Sequence, residues 1–148
     1  MSKLLIVGTV AFDQIETPFG KTDKILGGAA TYIGLSASYF DNVDSAIVSV
    51  IGGDFPQKHL DLLASKNIDI SGIEKIENGK TFFWSGRYHN DLNSRDTLDT
   101  QLNVLADFNP IVPQNFKEAE VVMLGNLHPN IQISVLDQMT ARPKLVVL

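Results

Sequence analysis

Apolar residues gather into four short uninterrupted blocks: Leu4-Leu5-Ile6-Val7, the core of Ser45 to Ile51, Val121-Val122-Met123-Leu124 and Leu145-Val146-Val147-Leu148. A strand that is apolar on both faces is one covered by helices on both faces, the usual condition of a parallel sheet. Between the blocks the spacing changes to that of helices. Ala30, Ile33, Ala37 and Phe40 recur on one face after Gly27-Gly28. Leu60, Leu63 and Ala64 do so between Pro56 and about Lys66, and Ile131, Val135 and Met139 after Asn126-Leu127-His128-Pro129. Strands alternating with amphipathic helices predict an α/β fold with a central, mainly parallel sheet.

Other stretches follow a different rule. Glu16 to Leu26 contains Pro18 and Gly20 with little apolar periodicity, which predicts a hairpin or loop reaching away from the core. Asn67 to Ile76 alternates toward the turn Glu77-Asn78-Gly79-Lys80, and Thr81-Phe82-Phe83-Trp84-Ser85-Gly86-Arg87-Tyr88 is rich in β-formers. Its partner is expected within Thr97 to Val104, although Leu98, Leu102 and Leu105 would equally suit a helix. Phe108 to Pro113 is a proline-marked return to the main sheet.

Composition narrows the class of ligand. The 148 residues are 44% hydrophobic and 20% charged, which suits one globular domain with a sizeable core. A formal charge of −5 without a basic run argues against nucleic acid or an anionic membrane as partner. Zero cysteines exclude disulfides and fit a reducing compartment, so a cytoplasmic location is expected. Lys3 followed by the apolar run to Phe12 imitates a signal peptide, but Asp13 ends the run and no small-residue cleavage site follows.

Candidate chemistry lies at the ends of the predicted strands, where open α/β sheets bind ligands. Gly27 and Gly28 open a helix and let backbone come close to a ligand, and a helix start has unpaired amide donors for an oxygen-rich group. Ordinary turn chemistry is the competing reading. Asp13, in the turn after the first strand, could accept hydrogen bonds from two neighbouring hydroxyls or simply cap that turn. Asp54 with Gln57 reads as a structural helix-capping pair, and His128 as a cap or surface histidine that could also reach a ligand. His59 and His89 show no metal-ligand spacing.

The order of Gly8-Thr9-Val10-Ala11-Phe12-Asp13, Gly27-Gly28-Ala29 and Gly52-Gly53-Asp54 resembles the N-terminal half of the PfkB carbohydrate kinases, also called ribokinase-like kinases. They phosphorylate sugars, nucleosides and related alcohols with ATP. The resemblance covers essentially the whole chain. It implies a three-layer α/β/α fold over residues 1–148 with a small β lid from segments of about 16–26 and 81–104, apparently truncated. It implies a sugar or nucleoside site at Asp13, Gly27, Gly28 and Tyr32, with Phe83 and Arg87 on the lid, and no metal site. Tyr32 departs from the family, which usually has Asn there.

Such kinases are about twice this length and keep in their second half the ATP site and a Gly-Ala-Gly-Asp motif, which carries the catalytic base. That motif is not found here. ATP and Mg2+ are therefore expected for the full-length kinase, with tight binding to this chain and catalysis by it alone not expected. Two alternatives stand beside this reading: a non-catalytic sugar or nucleoside binding module, and a module that dimerises through the lid or an exposed sheet edge.

Overall fold

The computed structural model describes residues 1–148. In chain order its elements are β1 (Ser2–Val7), β2 (Ala11–Thr17), β3 (Gly20–Lys21), β4 (Ile25–Gly27), α1 (Ala29–Ala37), β5 (Val43–Gly52), α2 (Gln57–Ser65), β6 (Ile68–Ile76), β7 (Phe83–Tyr88), β8 (Arg95–Gln101), β9 (Val121–Leu124), α3 (Pro129–Asp137) and β10 (Leu145–Val147). Short 3-10 segments at Asn103–Asp107 and Gln114–Phe116 lead back from β8 to β9.

The four apolar blocks and the alternating stretch that becomes β6 form one sheet in the order β10-β9-β1-β5-β6, with every neighbouring pair parallel. Alternation along β1 sends Leu4 and Ile6 to one side and Leu5 and Val7 to the other, into two separate buried clusters. The first cluster includes Ala30 and Ala37 of α1 and Leu63 of α2; the second includes Val135 of α3 with Phe108, Val112 and Phe116. Three layers result, as the resemblance implies. No helix is long and apolar enough to cross a membrane.

A second sheet runs β3-β2-β7-β8, with β4 also paired to β2. β2 and β7 are parallel, with Phe12 beside Phe83 and Asp13 beside Trp84, while β7 and β8 are antiparallel. Buried polar contacts join the sheets: the Val10 amide donates to Ser49 Oγ at 3.0 Å and the Gly52 amide to Thr81 Oγ1 at 2.9 Å.

Four local expectations change. Asp13 stands within β2, not in a turn, because the chain leaves β1 through Gly8 to Val10 and is extended again by Ala11. α1 stops at Ala37, so Phe40 lies beyond it and is exposed; Thr31 and Gly34 join Ala30 and Ala37 on the buried face. An added Cβ at Gly34 would sit 2.9 Å from the tip of the Ile47 side chain, which would have to shift. Ala64 is exposed, leaving Leu63 as the buried residue of α2. Asp54 and Gln57 form no capping pair: Pro56 precedes α2, Gln57 bonds Asp61 at 3.0 Å, and Asp54 accepts from Thr81 N at 2.8 Å and Thr81 Oγ1 at 2.7 Å. Asp54 is structural through the link between the sheets.

Candidate functional site

A cavity of about 350 Å³ opens where the C-terminal end of β1 meets the second sheet, lined by Thr9, Asp13, Gly28, Ala29, Tyr32, Phe82, Trp84, Tyr88, Arg95 and Asn126. Its floor is made by Thr9. Fully buried, Thr9 accepts from the Ala29 amide through Oγ1 at 3.0 Å and from the Ala30 amide through its carbonyl at 3.0 Å. The same hydroxyl donates to Asn126 Oδ1 at 3.2 Å, tying the ends of β1 and β9 to the start of α1. Gly28 precedes α1 with φ of 98° and has no side chain to cap it, so Thr9 takes that role from another strand end. Two of the helix-start amides expected to face a ligand are thus already satisfied.

Asp13 is half-buried, and that burial raises its carboxyl above the usual carboxylate range. Gly27 lies against it on the paired strand β4, where any Cβ would overlap the carboxylate. The carboxylate thus borders the cavity with only backbone behind it. Tyr32 stands at the rim and donates its hydroxyl to the Leu26 carbonyl at 3.2 Å.

Aromatic side chains continue the wall on the Asp13 side, on the same face of the second sheet. The Trp84 ring packs against Gly86, where any side chain would overlap the indole, and its Nε1 donates to Thr97 Oγ1 at 3.3 Å. The Arg95 guanidinium lies 5.7 Å from the Trp84 ring centroid. Phe82 and Tyr88 complete this wall.

The structure therefore brings Asp13, Gly28 and Tyr32 together, with Gly27 directly behind Asp13. Phe83 and Arg87 are not brought there. Strand alternation points them to the other face of β7, since Trp84 and not Phe83 is the register partner of Asp13. Phe83 is buried in the first core cluster with the Lys24 ammonium 4.8 Å from its ring centroid. Arg87 pairs with Glu16, Nε to Oε1 at 2.9 Å, beside a separate polar groove. Sequence reading passed over Thr9, Phe82, Trp84, Tyr88, Arg95 and Asn126; period two along Phe82, Trp84, Gly86 and Tyr88 was the available signal. His128 caps α3, its Nδ1 accepting from the Asn130 amide at 3.2 Å.

Ala29 and Ala30 amides are spent on Thr9, and no three His, Asp or Glu side chains converge. What the arrangement can do is accept hydrogen bonds from hydroxyls at Asp13 and hold a flat ring against Trp84.

No family model matches the chain. A cytidine kinase from Thermococcus kodakarensis is 30% identical over 143 residues, covering 96% of this chain and 50% of that protein. The solved nucleoside kinase of Methanocaldococcus jannaschii, an archaeal member of the ribokinase family, superposes with a TM-score of 0.71 at 22% identity, over 99% of this chain and 51% of that one. The Burkholderia thailandensis nucleoside kinase, solved in complex with inosine, gives 0.71 at 14% identity, over 91% and 48%. The chain spans about half the length of these relatives.

Proposed function

We propose that this chain, ribokinase-like in fold and similar to the PfkB carbohydrate kinases over almost its full length, is the substrate-binding half of an ATP-dependent kinase for a nucleoside or sugar. The observation that carries the reading is Asp13. Its carboxylate borders a cavity of about 350 Å³ with the Gly27 backbone behind it and Trp84 beside it on the neighbouring strand. A half-buried carboxylate costs stability unless a ligand supplies donors, and two adjacent hydroxyls of a furanose supply a matched pair. Trp84, Phe82 and Tyr88 offer more flat apolar surface than a bare sugar needs, which favours a nucleoside.

In this reading the second sheet is the lid, built from about 16–26 and 81–104, and Asp13, Gly28 and Tyr32 are substrate-binding residues with Gly27 in support. ATP, Mg2+ and the catalytic base belong to the remaining half of such a kinase; no chemical step is assigned to residues of this chain. Its residues bind, orient and screen the substrate from water.

Calorimetric titration of the purified chain with ribose, cytidine and inosine tests the assignment. Saturable binding of at least one of them, abolished by Asp13→Ala, is the expected result. Absence of binding by all three, or binding indifferent to Asp13→Ala, would contradict it. ATP consumption by the chain with any of these ligands, at a rate comparable to a full-length kinase, would contradict the division of labour.

A further inference from the structure

We propose that Arg95 selects nucleosides whose base presents two adjacent hydrogen-bond acceptors; this rests on reading the cavity as a nucleoside site. Arg95 is the cation lining that cavity, and its guanidinium lies 5.7 Å from the centroid of an indole that is itself held in place. Gly86 leaves room for the Trp84 ring, and Thr97 receives its Nε1–H at 3.3 Å. The cation–π contact holds the guanidinium beside the indole, and its N–H groups stay free for a ligand.

No carboxylate claims that edge. The adjacent Asp96 is paired with His89 at 3.1 Å, and the ion pairs of the chain otherwise join Arg87 to Glu16, Lys75 to Glu77 and Lys144 to Glu120. A guanidinium has donors only. It matches a base edge with two neighbouring acceptors, such as O2 and N3 of cytosine or O6 and N7 of hypoxanthine and guanine. Adenine sets an amino donor beside N7 and opposes the same fork. Asp13 holds the opposite end of the ligand, so the two charged groups read the two ends of one nucleoside.

The test is calorimetric titration of the chain and its R95A and R95K variants with cytidine, inosine, adenosine and ribose. The wild-type chain binds cytidine and inosine more tightly than adenosine. R95A weakens cytidine and inosine by roughly 10- to 100-fold, the scale of one bidentate base contact, and leaves adenosine and ribose within about twofold. R95K keeps the charge but not the fork, and does not restore the preference. Arg95 is exposed on β8, so an unchanged thermal midpoint of R95A is expected and shows that the fold is intact. Equal weakening of all four ligands, or none, overturns the role of Arg95 while leaving the nucleoside site standing. Failure of the wild-type chain to bind any of the four overturns both.

Discussion

Replacing Asp13 by Asn should weaken ligand binding and strengthen the fold, two effects of opposite sign from one atom exchange. Burial raises the Asp13 carboxyl above its value of 3.8 in an unfolded chain. Between those two pH values the folded state holds more protons than the unfolded state, so stability is greatest at low pH and falls as pH rises through the window. At neutral pH the folded chain carries an ionised, half-buried carboxylate that it would rather protonate. Asn removes that charge at nearly constant shape. On the binding side, two hydrogen bonds to a charged acceptor are worth about 1.5 to 3 kcal/mol each, and an amide oxygen recovers about 1 kcal/mol of the total. The net loss is about 2 to 5 kcal/mol, or roughly 30- to 5000-fold in affinity. Calorimetry with cytidine and thermal unfolding at a series of pH values measure both. The Asp13→Asn variant should melt higher than wild type at neutral pH and converge with it in acid. A variant that binds cytidine as well as wild type, or melts lower at neutral pH, would refute the reasoning.

Thr9→Val keeps the shape of a fully buried residue but strands the Ala29 amide and the Asn126 side chain, so chemical denaturation should show a loss of about 1 to 2 kcal/mol, with Thr9→Ser closer to wild type. Gly28→Ala meets both a φ of 98° and the Thr9 carbonyl, and should cost about 2 kcal/mol or more by the same measurement while lowering cytidine affinity. The exposed Leu145, Val146 and Leu148 along the β10 edge should drive self-association at high protein concentration, read as a rising sedimentation coefficient; a monomer throughout would count against it.

The apolar blocks revealed the parallel sheet because Leu4 to Val7 and Ala46 to Val48 are buried from both sides, and burial from both sides leaves a continuous run. β2 was harder to read. Ala11 to Thr17 has one edge in the core and the rest half-buried, so Asp13 looked like the end of a run instead of the middle of a strand. The aromatic stretch showed its strand type but not its facing: Phe83 and Trp84 are equally plausible ligand contacts until the pairing of β2 with β7 places Trp84 beside Asp13. Arg95 was illegible for a similar reason, since β8 is exposed along its whole length and only the Trp84 ring gives its position meaning. Thr9 acts on a helix 20 residues away, a cap that no local pattern announces.

The central claim is that a nucleoside or sugar sits against Asp13 and Trp84, and amide-resolved NMR titration of the chain with cytidine tests it most directly. Saturable shifts should concentrate at Asp13, Gly28, Ala29 and the Trp84 indole N–H, and disappear in Asp13→Ala. Shifts confined to the groove around Glu16, Arg87 and Asp91, or no saturable shift at any position, would contradict the claim.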